Sequence, residues 1–203
     1  MGKVYKYIDP DYTYIDPKTG VLLNLGNIAD NDTLIFFEST AVTKRTKELE
    51  KSPVKIKGST ALFAIHRYLF QDVYTWADQK RMVEISKGGK QFFPLDHFDT
   101  ALVYIDNLIA EYRSIDKSDS DKIAGKLAEI LDTVNYLHPF REGNGRTQRE
   151  FLRVLALEKG YALNLNPADN ADVYERYMSG TIDADVGKLA DLILELMRGA
   201  GDE

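Results

Sequence analysis

The helical periodicity of apolar residues in the segment 119–137 constrains the fold more than any other feature of this sequence. Ile, Leu and Val recur three and four positions apart, which places them on one face of a helix. The members of this face are Ile123, Leu127, Ile130, Leu131, Val134 and Leu137. Ser118 or Ser120, each followed by Asp, supplies a cap and a favourable charge for the first turn. The periodicity ends at His138-Pro139, so we predict an amphipathic helix that is followed by a loop.

Similar patterns divide most of the remaining chain into helices. The other predicted helices cover 30–50, 59–72, 96–113, 144–159, 169–178 and 184–198. Residues 81–86 differ because they alternate like a strand; Gly88-Gly89 is a turn signal, and residues 90–93 form the returning strand. Residues 1–28 are rich in Tyr, Asp, Pro and Gly, which indicates an N-terminal arm of turns. We therefore predict an all-α helical bundle with one β-hairpin, in a single globular domain over 29–203.

The composition favours a globular protein and argues against several other classes. The 203 residues are 44% hydrophobic and 11% aromatic, enough for a sizeable core. A formal net charge of −6 argues against direct binding of nucleic acid, which needs a basic surface. The sequence has no apolar run that could span a membrane, no signal-peptide pattern and no cysteine, so we expect a cytoplasmic protein.

Positive charge is nevertheless concentrated in one short stretch. The arginines concerned are Arg141, Arg146, Arg149 and Arg153. A local basic site on an acidic protein suggests a small anionic ligand. The first turn of the helix predicted from residue 144 carries unpaired N–H groups and a positive dipole end, and Gly143 and Gly145 leave it open to an anion. Because Arg146 and Arg149 lie on one face of this helix, the segment suits a di- or triphosphate.

Two further side chains in this segment have the chemistry to act on a bound polyphosphate. Glu142 is a candidate ligand for Mg²⁺, which is typically bound by one or two carboxylates together with substrate phosphates. Histidine has an unperturbed pKa of about 6.5, so His138 could accept a proton near neutral pH and is a candidate general base. Alone, His138 is interpreted more simply as a capping or packing residue, and Phe140 as a residue that pins the loop to the core. Their combination favours attack of a hydroxyl group on a phosphoryl centre.

The same segment resembles the signature of the Fic family, His-x-Phe-x-(Asp/Glu)-Gly-Asn-Gly-Arg-x-x-Arg. Every specified position is matched, by His138, Phe140, Glu142, Gly143, Asn144, Gly145, Arg146 and Arg149. Residues 65–77 are similar to the family's helix before the flap, and residues 12–28 are similar to the N-terminal arm of its bacterial toxin-like members. The resemblance covers most of residues 10–165 and little of the last forty residues.

This resemblance implies a Fic fold and an enzymatic activity. The activity is transfer of AMP from ATP, with Mg²⁺, to a Ser, Thr or Tyr hydroxyl of a target protein, with release of pyrophosphate. His138 would deprotonate the hydroxyl, and Glu142 would bind the metal. The nucleotide would be bound by Phe140, Gly143, Asn144, Gly145, Arg146 and Arg149, with Asn144 near the α-phosphate and the arginines on the outer phosphates.

The resemblance also gives the predicted hairpin a function. Residues 83–93 correspond to the family's flap, whose exposed edge aligns the target peptide by β-strand addition. The candidate clamp residues are Ile85, Lys90 and Phe92. Ordinary hairpin packing accounts for these three residues equally well. Asp78 stands where relatives usually have Gly, which affects the start of the flap rather than the chemistry.

The resemblance also suggests how the protein is inhibited, because the sequence lacks the family's inhibitory motif. Fic proteins with a built-in inhibitory helix carry (Ser/Thr)-x-x-x-Glu-(Gly/Asn), whereas the nearest stretch here, from Thr46 to Lys51, has Lys in the last position. The segment from Thr181 to Asp185 lacks the Glu. The chain therefore resembles toxins inhibited by a separate small antitoxin that supplies this Glu, which leaves Arg149 unblocked in the isolated protein.

Toxin-like relatives modify DNA gyrase and topoisomerase IV, so the B subunits of these enzymes are the first candidate targets by resemblance. Two other functions stay open from the sequence. One is transfer of a phosphate group instead of AMP, which the intact core from Gly143 to Gly145 disfavours. The other is a catalytically silent interaction module, which the intact His138 and arginines disfavour.

Overall fold

Helices form most of the computed structural model, which describes residues 5–9, 11–87 and 89–199. In chain order the elements are β1 (Tyr5–Ile8), α1 (Asn31–Lys51), α2 (Ala61–Phe70), β2 (Glu84–Lys87), β3 (Lys90–Gln91), α3 (Phe98–Ser114), α4 (Ser120–Leu137), α5 (Asn144–Glu158), α6 (Ala171–Asp183) and α7 (Val186–Gly199). A short 3-10 helix, Leu95–His97, joins β3 to α3. The predicted helical bundle with a β-hairpin is confirmed.

Helix α4 lies at the centre of the bundle and contacts α3, α5 and α7. All six residues of its predicted apolar face are at most 2% exposed. Burial of each such side chain contributes roughly 1.5–3 kcal/mol, so this face holds the bundle together. The helix is capped by Asp119, which accepts from the backbone N–H of Lys122 at 3.2 Å, and not by either of the predicted serines. Helix α5 packs on α2 and α4, which fixes both ends of the loop between α4 and α5.

The sheet differs from the prediction because it has three strands in the order β1-β2-β3. Strand β1 runs antiparallel to β2, with Tyr5 opposite Lys87 and Ile8 opposite Glu84. The N-terminal arm therefore does more than form turns: it supplies a strand that covers one edge of the hairpin. Strand β2 is paired on both sides, so β3 is the hairpin strand that keeps an unpaired edge within the described residues.

The rest of the described arm is fixed to the base of the hairpin. The Asp9 carboxylate accepts from the backbone N–H groups of Thr13 and Tyr14 at 2.8 and 3.0 Å. Tyr14 is 2% exposed, and its hydroxyl accepts from the N–H of Met82 at 3.0 Å. These contacts explain why a segment rich in turn residues holds one defined path over the bundle.

The hairpin strands are shorter than the sequence pattern predicts. Strand β2 begins at Glu84 rather than residue 81, and β3 ends at Gln91 rather than residue 93. The reason is tertiary: Arg81 is buried under the hairpin, and Phe93 donates its N–H to the Tyr136 carbonyl at 3.0 Å. Gly88 of the predicted turn lies outside the described residues, while Gly89 has a positive φ of 83°. None of the described helices is both long and apolar enough to cross a membrane.

Candidate active site

His138 forms the C-terminal cap of α4 and adopts a left-handed backbone conformation, with φ 45° and ψ 61°. Its N–H still donates to the Val134 carbonyl at 3.1 Å, so the helix ends at this residue. The ring nitrogen Nδ1 lies 3.2 Å from the carbonyl oxygen of Asn135. Since a carbonyl only accepts, Nδ1 carries the proton of the neutral ring and Nε2 carries the lone pair.

His138 is positioned by Phe92 of the hairpin and by Arg81 of the segment between α2 and β2. The ring of Phe92 stacks on the imidazole, with centroids 3.8 Å apart and planes 17° apart. The buried guanidinium of Arg81 donates from Nε to the His138 carbonyl at 2.9 Å and from Nη1 to the Val83 carbonyl at 2.8 Å. The N–H of Arg81 donates to the Pro139 carbonyl at 2.8 Å. Arg81 thus joins the hairpin to the loop, a function that its position in a strand-like pattern does not reveal.

The loop is closed by the side chain of Asn144. Its Oδ1 accepts from the N–H of Phe140 at 2.9 Å, and its Nδ2 donates to the Phe140 carbonyl at 2.7 Å. Phe140 is fully buried and stacks on the ring of His66 at 3.8 Å, as expected for a residue that pins the loop. Both residues therefore shape the loop from below, and the predicted nucleotide contacts of Phe140 and Asn144 stay predictions.

His66 on α2 is a buried support of the loop. Its Nδ1 accepts from the N–H of Asp78 at 3.0 Å, which leaves the ring proton on Nε2, 3.0 Å from the Glu142 carbonyl. Burial lowers the pKa of His66 to about 4. The neutral ring therefore fits a site where it accepts on one side and donates on the other. Asp78 adopts a left-handed backbone conformation, with φ 74°.

We expect His66 to make the folded protein less stable at acidic pH. The unfolded side chain has a pKa of about 6.5 and the folded one about 4, so the unfolded state binds the proton more readily. The contribution of neutral His66 to the free energy of unfolding is fully present above pH 6.5 and is lost as the pH falls towards 4. The expected loss between pH 7 and 4.5 is about 2 to 3 kcal/mol. Denaturant unfolding at the two pH values measures this loss.

The comparison variants for this prediction are His66→Phe and His97→Phe. The first removes the titrating group and should show a smaller loss of unfolding free energy on acidification, even if it is less stable at pH 7. The second changes an exposed histidine and should behave like the unmodified protein. An identical loss in all three proteins would refute the assignment to His66.

Gly143 and Gly145 leave the N-terminus of α5 open. Gly143 precedes the helix with φ 84°, and a Cβ built on it would lie 2.3 Å from the Phe70 ring. A Cβ on Gly145 would lie 3.3 Å from Nη1 of Arg149. The first glycine is therefore required by the packing below the loop, and the second gives the arginine its space. The first-turn N–H groups of a helix that starts in this way are available to an anion.

Arg146 is held by two carboxylates and an aromatic ring. Its Nη2 lies 2.6 Å from Glu38 Oε1 and 3.4 Å from Glu142 Oε1, and its guanidinium lies 4.7 Å from the centroid of Phe70. The other Glu38 oxygen accepts a hydrogen bond from the Tyr74 hydroxyl. Burial, followed by the Glu38 charge, raises the pKa of Tyr74, so this hydroxyl remains a donor. Glu38 on α1 is a part of the site that helical periodicity gives no means to identify.

Arg149 has different surroundings. Its guanidinium lies 5.5 Å from the ring centroids of both Tyr174 and Tyr177 on α6. Within residues 5–9, 11–87 and 89–199, no carboxylate forms an ion pair with it. The positive charge of Arg149 is thus oriented by aromatic rings and not neutralised by a described acidic side chain.

The other two arginines of the basic stretch do not belong to the site, which corrects the prediction of a four-arginine cluster. Arg153 pairs with Glu150 at 2.7 Å and donates to the Leu49 carbonyl at 3.2 Å. Arg141 is 7% exposed and lies on the side of the N-terminal arm, where its charge acts on Asp9 and Tyr14. Both positions follow from helix and loop geometry that the linear spacing does not show.

One cavity of about 960 Å³ joins most of the predicted site. It is lined by His138, Glu142, Gly143, Gly145, Arg146 and Arg149, together with Lys90 and Phe92 of the hairpin. Lys90 is exposed, and its Nζ lies 3.4 Å from the Ile182 carbonyl on α6. Ile85 is 2% exposed in the core, so hairpin packing accounts for its position. The volume is at the upper end of the range for small-molecule sites.

Known proteins resemble this chain in sequence and in fold. A model of the Fic/DOC family matches residues 58–156. The chain is 33% identical to the probable protein adenylyltransferase y4lH of Sinorhizobium fredii over 183 residues, 90% of this chain and 92% of that protein. This chain belongs to the Fic/DOC family. The Fic/DOC region runs from just before α2 into α5 and so contains the whole loop, whereas α6, which supplies Tyr174 and Tyr177, lies outside it.

Two further relatives extend the comparison of this Fic/DOC chain. The chain is 33% identical to the protein adenylyltransferase VbhT of Bartonella schoenbuchensis over 169 residues, 83% of this chain. That alignment spans 35% of the length of VbhT. The structure of BepC from Bartonella tribocorum, with bound AMPPNP, superposes with a TM-score of 0.80 at 18% identity, covering 91% of this chain and 96% of BepC. This last likeness confirms the fold.

Proposed function

We propose that this chain transfers AMP from ATP to a hydroxyl group on a target protein and releases pyrophosphate. The observation that carries the proposal is the convergence of a histidine, a carboxylate, a glycine-flanked helix N-terminus and two arginines on one cavity. Two relatives are named as adenylyltransferases, and BepC was solved with an ATP analogue, which supports the same chemistry.

His138 is the proposed general base. Because its Nδ1–H points to the Asn135 carbonyl, the lone pair on Nε2 takes the proton of the target hydroxyl. The hydroxyl oxygen forms a bond to the α-phosphorus as the bond from that phosphorus to the oxygen of the β-phosphate breaks. Pyrophosphate leaves with the electron pair of the broken bond, AMP remains on the target, and the proton remains on His138.

The N-terminus of α5 and its arginines are the proposed phosphate-binding groups. The N–H groups of Asn144 and Gly145 lie in the first turn of a helix whose dipole favours negative charge. Gly143 precedes this turn and carries no side chain that would cover it, while its own N–H donates to Glu142. Arg149 adds a full positive charge that no described carboxylate neutralises. Arg146 shares its charge with Glu38 and Glu142, so we propose that it contributes less to nucleotide affinity than Arg149 does.

Glu142 is the residue that we propose holds Mg²⁺. Its Oε1 accepts from the Gly143 N–H at 2.8 Å, and the side chain lines the cavity beside the phosphate-binding loop. In the described part of the chain no three His, Asp or Glu side chains form a metal-binding group. A single carboxylate combined with phosphate oxygens and water suits Mg²⁺, which would reduce the negative charge on the phosphates when bound.

The hairpin is the proposed docking strand for the target. Since β2 already pairs with β1 and β3, a target peptide adds to the outer edge of β3. That edge is next to Phe92, whose ring contacts His138, so an added strand would bring a target side chain towards the general base. Lys90 and Phe92 are the proposed target-positioning residues.

We also propose that the chain is the toxin of a toxin–antitoxin pair and acts in the bacterial cytoplasm, where ATP is available. Glu50 of the incomplete inhibitory motif is exposed on α1, and no described carboxylate pairs with Arg149. A separate antitoxin that supplies a Glu to Arg149 would block the phosphate-binding position. The B subunits of DNA gyrase and topoisomerase IV are the first targets to test.

Mass spectrometry after incubation with ATP and Mg²⁺ tests the proposed function. The purified chain is mixed with a bacterial lysate and separately with the two B subunits, and modified peptides are identified. The proposal expects a gain of one AMP on a hydroxyl residue without prior removal of any segment of the chain. A gain of one phosphate would indicate a phosphotransferase, and the absence of any modification would indicate a silent module; either result would overturn the proposal.

A further inference from the structure

The cavity contains a carboxylate that the proposed reaction does not use. Asp132 lies on α4 and lines the cavity. Burial alone raises the pKa of Asp132. Within the described residues its side chain has neither a hydrogen-bond donor nor a cationic partner, in contrast to Glu142 in the same cavity. A partly desolvated carboxylate without a partner costs folding free energy, so a structural role does not explain it.

Two tyrosine side chains line the same cavity as this carboxylate. Tyr136 is one helical turn beyond Asp132 on α4, and Tyr104 lines the same cavity from α3. Each ring is 50% exposed. Phe93 packs edge-on against Tyr136, with centroids 5.5 Å apart, which fixes the orientation of that ring. A carboxylate and accessible tyrosine rings that line one cavity favour a flat cation, because the rings and the charge both attract it.

The position of this part of the cavity connects it with the docking strand. Phe93, two residues after β3, donates its N–H to the Tyr136 carbonyl, so the unpaired edge of β3 leads directly to Tyr136. The proposed nucleotide-binding groups are on other elements, the loop and α5, where the α6 tyrosines orient Arg149. A peptide along β3 would therefore place one side chain near His138 and a neighbouring one on the same face near Asp132.

From these positions we infer that Asp132, Tyr104 and Tyr136, which line one cavity, form a recognition site for an arginine side chain of the target protein. This arginine lies close in sequence to the hydroxyl residue that His138 deprotonates, an assignment that rests on the proposed function. Its guanidinium pairs with Asp132 and stacks on the tyrosine rings. Arginine fits better than lysine because its planar group makes both interactions at once.

Nuclear magnetic resonance with N-acetyl-arginine amide tests the site without requiring any transfer reaction. The expected result is saturable shifts at Tyr104, Asp132 and Tyr136. N-acetyl-citrulline amide, which has the same shape without the charge, should bind at least tenfold more weakly. Asp132→Asn should weaken arginine binding by a similar factor, whereas Asp191→Asn, on an exposed part of α7, should leave it unchanged. Equal binding of the two probes, or no shifts at these residues, would overturn the inference.

A second measurement links the site to target choice. Asp132→Asn should reduce labelling of the main lysate target at least tenfold, while calorimetry shows an unchanged affinity for ATP with Mg²⁺. The variant should fold normally, because it removes an unpaired charge. Undiminished labelling of the same target would refute a role in target recognition. If neither protein labels the lysate, the proposed function fails, and the arginine titration still decides whether the site exists.

Discussion

Replacing His138 with Asn is expected to reduce AMP transfer by about a hundredfold to ten-thousandfold, the contribution typical of a general base. The amide has no basic nitrogen to take the proton of the target hydroxyl. Asn is preferred to Ala because His138 has φ 45°, a conformation that Asn adopts more readily than most residues. Transfer is measured by mass spectrometry under single-turnover conditions, and ATP affinity is measured by calorimetry.

Two controls separate chemistry from structure in this experiment. His138→Ala should lose transfer to the same extent but should also be less stable, because Ala is strained at this backbone position. His97→Asn, on the exposed 3-10 helix, should retain full activity. ATP should still bind to both His138 variants. Near-normal transfer by His138→Asn would show that another group removes the proton.

Replacing Gly143 with Ala is expected to destabilise the protein by roughly 2–5 kcal/mol and to weaken ATP binding at least tenfold. The added Cβ would lie 2.3 Å from Cζ and 2.4 Å from Cε2 of the buried Phe70, so the loop must move. Overpacking of this kind costs about 1–3 kcal/mol, and the positive φ of 84° adds about 1–2 kcal/mol for a residue with a side chain. Denaturant unfolding and calorimetry measure the two effects.

Gly160→Ala is the matched control for this prediction. Gly160 has a similar φ of 88°, but a Cβ there would meet nothing within 4 Å. It should therefore show the conformational cost alone and leave ATP binding unchanged. In the double variant Gly143→Ala with Phe70→Leu, the smaller side chain should restore part of the lost affinity. If Gly143→Ala and Gly160→Ala behave alike, contact with Phe70 does not determine the loop conformation.

Local features of the fold were predictable from the sequence, whereas contacts between distant residues were not. The apolar face of α4 was predictable because helical spacing is a local pattern, and the motif from His138 to Arg149 was predictable because its residues are consecutive. Strand β1 was not predictable, since its partner β2 is distant in sequence and its own residues resemble an arm of turns. Arg141 lies within the basic stretch, yet it is buried and its charge acts on Asp9 of the N-terminal arm, which the linear spacing does not show.

The residues that support the site were missed for the same physical reason. His66 and Glu38 occupy ordinary helical positions, and only the packing of α2 and α1 brings them to Glu142 and Arg146. A polar residue on a helix gives no local signal of its tertiary partner. His66 lies on the apolar face of α2, between Leu62 and Phe70, and a polar side chain at such a position is the one hint that the sequence offered.

The support of the loop by His66 has a consequence for how this protein responds to heat. The ring contacts Phe140 and the Glu142 backbone while it belongs to the core of α2, so the loop has no freedom that the core lacks. We expect a segment fixed to the core in this way to open together with the core, unlike catalytic loops that open before it. The transfer activity that remains after heating is therefore expected to be proportional to the fraction of folded protein. A curve of activity against temperature should coincide with the thermal unfolding curve.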